Sequence, residues 1–343
     1  MRTAKQLGLR ILPLVLLIAL TACQTVDNRA KDDKTLSARD DHRSGTMTDA
    51  NDLQAQYRLG EAYYAGRGVP QDNKKAFELL QEGARQGYAP SQAGLALLYY
   101  NGQGVPQDYQ EAFKWSMKAA EQGHSAAQCL VGAMYSQGLG VSQNHREALK
   151  WFKKSANQGD STALLLLGGM YESGSGVSQS YEEAAKWYKK AALQGEIKAQ
   201  LALGALYGLG KGVPRDQKES FHWFKEAASR GNADAQYIVG SAYELGRGVP
   251  KNITEAAKWF QRSAAQGFPK AQVIIGTMHE YGLGMPQDYV KAHMWYNLAA
   301  AGGDQDAIDD AAKARQDIAR KMTPEQIAEA QRLAREWKPQ LEQ

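Results

Sequence analysis

The stretch "LGALYGLGKGVPRDQKESFHWFKEAASRGNADAQ" (residues 203–236) decides the fold, because its pattern recurs along most of the chain. A glycine column repeats every 36 residues without insertion, at Gly66, Gly102, Gly138, Gly174, Gly210, Gly246 and Gly282. A second glycine column lies two residues further on, and a third lies 21 residues after the first. A fixed period of this length is the signature of a repeat array, and here it predicts seven units over residues 52–303.

Each unit predicts two helices. The second begins at a column of good N-cap residues, namely Asp72, Asp108, Asn144, Ser180, Asp216, Asn252 and Asp288. Five units place a glutamate three residues later, which predicts capping boxes, at Glu111, Glu147, Glu183, Glu219 and Glu255. The third glycine column then ends the helix, since glycine adopts the left-handed C′ conformation at low cost.

The first helix of each unit has one apolar face, represented by Ala199, Leu203 and Tyr207. We expect Gly204, beside Leu203, to allow the close approach of another backbone. Apolar residues do not alternate with polar ones anywhere in the chain, so we predict an all-α fold built from helix–turn–helix pairs.

The Gly-x-Gly segments before the second helices raise the alternative of a phosphate-binding loop. Such a loop carries Gly-Lys followed by Ser or Thr at the start of the helix. None of the seven segments does. They are therefore interpreted as structural turns that end one helix and lead into the cap of the next.

The first residues have the pattern of a secretory signal. Arg2, Lys5 and Arg10 precede the apolar run "ILPLVLLIAL" (residues 11–20), which is too short to span a bilayer as a helix. The next residues complete "LTAC", which resembles the lipobox of bacterial lipoproteins, and that resemblance implies a signal peptide over residues 1–22 and acylation of Cys23. An ordinary signal peptide is the alternative. By resemblance to Gram-negative lipoproteins, Gln24 suggests the outer membrane, and we expect the protein to face the periplasm.

Residues 23–51 are rich in charged and hydroxyl side chains, and we predict a disordered tether between membrane and repeats. Its ends would lie on the order of 30 Å apart. Removal of residues 1–22 leaves 38 basic against 37 acidic residues, which argues against nucleic-acid binding. Cys129 is the one cysteine besides Cys23, so no internal disulfide is expected and Cys129 is interpreted as a small hydrophobic residue.

Residues 203–236 resemble the Sel-one-like repeat, a 36-residue relative of the tetratricopeptide repeat, and the resemblance extends over residues 52–303. Residues 322–337 resemble the C-terminal helices of such proteins, so we predict capping helices over residues 304–343. Leu79 departs from the Trp of the other six units, His279 from a Tyr column, and Ser142 and Ser178 from a loop proline. The resemblance implies a right-handed superhelical solenoid that acts as a protein-interaction scaffold. A cysteine-rich branch is described as penicillin-binding, but this chain lacks its cysteines.

Four columns of the first helix, those of Leu201, Ala205, Gly208 and Leu209, differ between units and are out of phase with the fixed apolar column; we call them the variable columns. By resemblance to tetratricopeptide arrays, they line the concave face. From them we predict partner-binding residues Tyr57, Glu61, Tyr64, Leu97, Tyr100, Glu172, Tyr237, Ser241, Glu244, Thr277, Glu280 and Tyr281. The alternative is that the apolar ones pack between first helices and the acidic ones are solvated. The predicted partner is an envelope or periplasmic protein or peptide, and a monomer is expected.

Two other functions were weighed. A cell-wall hydrolase of the penicillin-recognising type needs Ser-x-x-Lys, which occurs nowhere in the chain, and neither His-Glu-x-x-His nor Cys-x-x-Cys occurs. His279 and His293 occupy packing columns. We therefore predict no catalytic residue, cofactor or metal. A structural spacer or assembly factor without a dedicated ligand remains open.

Overall fold

A computed structural model describes residues 50–302 and 305–340. The predicted signal peptide, the lipidation site Cys23 and the tether up to residue 49 lie outside the described residues. The first helix begins at Ala50, two residues before the predicted start of the array.

The described residues form sixteen α-helices and no strand. The helices of the first four repeats are α1 Ala50–Ala65, α2 Asn73–Arg85, α3 Ala89–Asn101, α4 Tyr109–Glu121, α5 Ser125–Gln137, α6 His145–Asn157, α7 Ser161–Ser173 and α8 Tyr181–Leu193. Those of the last three are α9 Ile197–Leu209, α10 Gln217–Ser229, α11 Ala233–Leu245, α12 Ile253–Ala265, α13 Pro269–Tyr281 and α14 Tyr289–Ala300, followed by α15 Gln305–Ala319 and α16 Pro324–Glu336. The prediction of seven helix pairs with a helical cap is confirmed.

The chain divides into two compact units, the first ending at Trp187 and the second beginning at Tyr188. Unit one contains α1–α7 and the first half of α8. Unit two contains the rest of α8 and α9–α16.

The N-caps of the second helices are as predicted, but the capping boxes are not. Asp108 accepts hydrogen bonds from the backbone N–H groups of Gln110 and Glu111, at 2.9 and 3.0 Å. Its own N–H donates to the carbonyl of Tyr99 at 3.0 Å, on the preceding helix. Glu111 instead accepts from the Trp115 indole at 3.0 Å. In every repeat the backbone N–H of the N-cap residue donates to a carbonyl of the preceding helix. A capping box needs the glutamate side chain to accept from this same N–H group, which is therefore already bonded.

The helix ends follow the prediction. Gly102, after α3, has φ 67° and its N–H donates to the carbonyl of Leu98. Gly123, after α4, has φ 91°. Both angles lie in the left-handed region that side chains with a β-carbon rarely adopt.

The second glycine of the loop has an additional role that involves the preceding repeat. A β-carbon on Gly140 would overlap the backbone carbonyl of Tyr109, at the start of α4, and one on Gly248 would overlap that of Gln217, at the start of α10. Each loop therefore stacks on the helix start of the repeat before it. This close approach supports the interpretation of the glycine segments as structural turns.

A glycine in the first helix faces a large side chain of the second helix. A β-carbon on Gly240 would lie 2.8 Å from the ring of Phe260, and one on Gly204 would lie 3.1 Å from the ring of Phe224. The prediction for Gly204 was wrong in one respect, because a side-chain ring approaches it and not a backbone. In these repeats the aromatic ring thus lies against bare helix backbone, whereas repeat 1 has Leu80 at the ring position and repeat 2 has Ser116.

The tryptophan column is buried in most repeats. Trp151, Trp223, Trp259 and Trp295 are at most 9% exposed. Trp259 packs with Val239 and with alanines of the second helix of the preceding repeat. Buried columns of this kind hold neighbouring repeats together, since a single repeat cannot cover its own apolar face.

The C-terminal helices cover the last repeat. Ile318 of α15 is fully buried against α14. The Trp337 ring lies 6.3 Å from that of Trp295, edge to face. Thr323 and Gln326 form a capping box at the start of α16.

Candidate functional site

The N-terminal end of unit one presents a polar–aromatic group on the variable columns of α1. The Tyr57 hydroxyl donates to Glu61 at 2.6 Å, and its ring lies 6.0 Å from that of Tyr88. Glu61 also pairs with Arg67 at 3.9 Å. Tyr64 is half-buried and packs on the core cluster of the first two repeats. The structure therefore brings Tyr57 and Glu61 together as an accessible pair.

The middle of unit one does not present its variable columns to solvent. Tyr100 is 4% exposed, with its ring 5.3 Å from that of Tyr109. Burial raises the pKa of the Tyr100 hydroxyl. Leu97 is half-buried and packs on the core cluster that contains Tyr100. Cys129 and Leu165 are buried. Tyr100 is not part of the candidate surface, because a partner cannot reach it. For this residue the alternative interpretation, packing in the interior and not partner binding, is correct.

Glu172 lies half-buried near the end of α7, which is the first helix of repeat 4. Its backbone carbonyl accepts a hydrogen bond from the side-chain amide of Gln179 at 2.7 Å. This bond satisfies a backbone carbonyl at the end of the helix.

Unit two presents its variable columns more openly. On α11, Tyr237, Ser241 and Glu244 are all half-buried. The Tyr237 ring lies 5.7 Å from Phe260 and 5.3 Å from Phe268, which hold it in place. The three side chains follow one another along one side of α11, at helical spacing.

On α13 only part of the predicted surface is accessible. Thr277 is half-buried and its hydroxyl donates to the carbonyl of Val273 at 3.1 Å. Tyr281, the last residue of the helix, is 60% exposed. The ammonium group of Lys321, which follows α15, lies 5.7 Å from the centre of the Tyr281 ring.

Glu280 is a connection to the C-terminal cap and not a partner-binding residue. It is 6% exposed. One carboxylate oxygen accepts from the Tyr296 hydroxyl at 3.0 Å and the other from Lys321, after α15, at 2.9 Å. The bond to Glu280 raises the pKa of Lys321. The prediction for Glu280 is therefore corrected, because both oxygens are bonded inside unit two.

A glutamine column was overlooked in the sequence. Its members are Gln92, Gln128, Gln200, Gln236 and Gln272, all at most 5% exposed. Gln92 donates to the carbonyl of Ala84 at 3.2 Å, and Gln122 donates to Gln92 at 2.8 Å. The column connects the second helix of one repeat to the first helix of the next. Its recurrence every 36 residues was a signal that could have revealed it.

The described residues offer no assembly for metal binding. In residues 50–302 and 305–340, no group of three or more His, Cys, Asp or Glu side chains is placed to hold a metal ion. Over the same ranges, none of the helices is both long enough and apolar enough to cross a membrane. The accessible chemistry of the variable columns is that of aromatic and carboxylate side chains on rigid helices, which suits recognition of another molecule.

Comparisons with known proteins agree with this geometry. The Sel1 repeat family model matches seven consecutive segments, residues 53–88, 89–124, 125–160, 161–196, 197–232, 233–268 and 269–304. The crystal structure of a Sel1 repeat protein from Oxalobacter formigenes is 36% identical, with a TM-score of 0.62 over 75% of this chain and 74% of that one. No curated protein matches the chain.

A second solved structure is c5321, described as a protective antigen present in uropathogenic Escherichia coli strains displaying an SLR fold. It is 30% identical over 83% of this chain and 76% of that chain, with a TM-score of 0.39. The Helicobacter pylori cysteine-rich protein B is 27% identical over 38% of this chain and 95% of its own, with a TM-score of 0.32.

Proposed function

Because this chain belongs to the Sel1 repeat family, whose members are protein-interaction scaffolds, we propose that it is a non-catalytic scaffold of the bacterial cell envelope. It binds protein or peptide partners on its variable columns. Acyl chains on Cys23 hold it at the outer membrane, facing the periplasm, with residues 24–49 as the tether. The lipobox-like sequence supports the anchor, and the family supports the scaffold.

The observation that carries the proposal is the contrast between fixed and variable positions on the same helix. On α11, the fixed residues Ala235 and Val239 are fully buried. Tyr237, Ser241 and Glu244 are half-exposed and differ from repeat to repeat. Tyr237 also packs on the core through Phe260, and the accessible part of its ring, together with Ser241 and Glu244, remains available for recognition.

The chemistry of the accessible residues indicates the kind of partner. The Tyr57 hydroxyl contacts the Glu61 carboxylate in unit one, and Tyr237 and Glu244 in unit two lie two turns apart on the same side of α11. A segment with basic and apolar side chains complements such pairs, because rings bury apolar surface and carboxylates pair with Lys or Arg. We therefore propose that partners present a basic, partly apolar segment.

Proximity labelling from the anchored protein, followed by pull-down with two arginine variants, tests the proposal. Ser241→Arg adds a large cation to the variable columns of α11. Ser229→Arg makes the same substitution at an exposed position of α10, where repeat 1 already carries Arg85. Loss of partners with Ser241→Arg alone supports the proposal; equal capture by both variants contradicts it.

The anchor has a separate test. The native chain is expected to incorporate labelled fatty acid, and Cys23→Ser is expected to abolish that incorporation. No incorporation in the native chain, or equal incorporation in Cys23→Ser, would contradict acylation at Cys23, and would leave partner binding by the repeats to be judged by the arginine variants.

A further inference from the structure

Unit two carries a row of exposed apolar and cationic side chains along the loops that follow α9, α11 and α13. Its members occupy three columns, and we call them the loop edge: Leu209, Lys211, Arg215, Leu245, Arg247, Lys251, Tyr281, Leu283 and Gln287. All nine are exposed. Four are cationic, four are apolar or aromatic, and none carries a carboxylate.

The apolar members protrude to an unusual degree. Leu209 is 55% exposed, Leu245 54%, Tyr281 60% and Leu283 44%. The first three are the final residues of successive first helices, 36 residues apart. Among the described residues the one other large apolar side chain of this exposure is Leu193, at the end of a second helix. Repeated exposure at one column is unlike the scattered apolar residues of an ordinary surface.

The same columns of unit one have a different character. They hold Ala65, Arg67, Gln71, Asn101, Gln103, Gln107, Gln137, Leu139, Gln143, Ser173, Ser175 and Gln179. These twelve positions contain one cation and one large apolar residue, and that residue, Leu139, is half-buried. The fold of the repeat therefore does not require the side chains of the loop edge.

Two cations of the loop edge replace a structural amide. In repeat 2, Gln107 donates to the carbonyl of Tyr100 at 2.7 Å and so satisfies the end of α3. Gln287 does the same for Glu280 in repeat 7, at 2.7 Å. Arg215 and Lys251 stand at this position in repeats 5 and 6. Two repeats thus have an exposed cation in place of the glutamine that bonds the helix end. The same two repeats also expose a leucine, and together these features point to a function of this edge.

The loops of unit two lie side by side. A β-carbon on Gly248 would overlap the Gln217 carbonyl, and one on Gly284 would lie 2.6 Å from that of Ile253. Each loop thus touches the helix start of the repeat before it. The exposed side chains consequently form one continuous edge within unit two.

We propose that the loop edge of unit two lies against an anionic lipid surface. Protruding leucine and tyrosine side chains enter the boundary between headgroups and acyl chains, while lysine and arginine pair with lipid phosphates. Asp216 and Asp288 follow the loop edge in the sequence, and each directs a carboxylate oxygen to a backbone N–H group of a helix cap. Asp288 also pairs with Lys291 at 3.4 Å, which offsets its charge. Glu244 belongs to the variable columns. The lipid contact uses one variable column, that of Leu209, Leu245 and Tyr281, and leaves the other three for partner binding. It is made by the repeats themselves, whatever holds the N-terminus.

Photocrosslinking to lipid tests this directly. The full chain, with a benzophenone amino acid in place of Leu245, is reconstituted with vesicles of equal parts phosphatidylglycerol and phosphatidylcholine containing labelled lipid. The matched control carries the probe in place of Asn101, the residue of the same column in repeat 2. We expect lipid adducts at 245, few at 101, and fewer at 245 in high salt or in pure phosphatidylcholine.

A second variant tests the role of charge without loss of the fold. Arg247→Gln with Lys251→Gln gives repeat 6 the residues of repeat 2, Gln103 and Gln107, and restores the helix-end amide. A cation near an anionic surface contributes about fivefold to binding, so the lipid adduct at 245 should fall about 25-fold. Equal lipid adducts at 245 and 101, no dependence on the two cations, or a protein adduct at 245 in cells would each overturn the proposal.

Discussion

Gly276→Ala is expected to destabilise the last repeat, although alanine is the better helix former. A β-carbon at position 276 would lie 2.6 and 2.7 Å from two atoms of the Tyr296 ring. Carbon atoms at optimal separation are about 3.5–4.0 Å apart. The ring cannot move away, because it is 1% exposed and its hydroxyl donates to Glu280 and Thr277 at 3.0 and 3.2 Å.

The magnitude follows from two opposing effects. Replacing glycine by alanine inside a helix stabilises it by about 1 kcal/mol. Overpacking of a core by one methyl group costs about 1–3 kcal/mol, and the short distances to a fixed ring place Gly276→Ala at about 3 kcal/mol. The free energy of unfolding of the last repeat should therefore fall by about 2 kcal/mol.

Hydrogen exchange of α13 and α14 measures this locally, since a repeat array need not unfold in one step. In a Tyr296→Ala background the ring is absent, and the same Gly276→Ala change should stabilise by about 1 kcal/mol. Ala96→Gly in repeat 2, where Ser116 replaces the aromatic residue, should cost about 1 kcal/mol. Stabilisation by Gly276→Ala in the native background, or equal destabilisation with and without the ring, would refute the steric argument.

Three further predictions concern buried polar groups. Tyr100→Phe should leave partner binding unchanged and not lower the melting temperature, because the Tyr100 hydroxyl is buried without a hydrogen-bond partner; loss of binding in a pull-down would return Tyr100 to the candidate surface. Lys321→Met should speed amide exchange in α15, because it breaks the 2.9 Å bond from the cap to Glu280, and unchanged exchange would contradict that role. Burial lowers the pKa of His279 and His293 below 6.5, so the folded state binds fewer protons than the unfolded state. The stability of unit two should be constant above about pH 7 and fall as the pH drops through 6.5, by at most about 1.4 kcal/mol per histidine and pH unit. Thermal melts check this, and His279→Tyr should weaken the dependence.

The candidate site was only partly predictable. The sequence located the variable columns by their differences between repeats, and the structure leaves Tyr57, Glu61, Tyr237 and Glu244 accessible there. The sequence could not distinguish Tyr100, which is buried, from the accessible tyrosines Tyr57 and Tyr237. A tyrosine in a variable column has the same local sequence signal whether a neighbouring helix covers it or not.

Glu280 shows the same limit at longer range. Its lysine partner lies 41 residues further along the chain, beyond two helices. No period or motif relates the two positions, because Lys321 is outside the repeats. Only the packing of α15 on the last repeat brings them together.

The sequence by itself determined the seven helix pairs, their starts and their ends. These depend on short-range effects: a side-chain oxygen that caps the next turn, or a glycine that adopts φ near 70°. The tertiary structure alone decided which backbone N–H groups are left for a side chain to cap, so that Glu111 bonds Trp115 and not the N-cap N–H. It decided which group approaches each helical glycine, such as the Phe224 ring at Gly204. It also decided which members of a variable column face solvent. The physical reason is that each of these depends on atoms in another helix, whose distance is set by how side chains of both repeats fill the space between them.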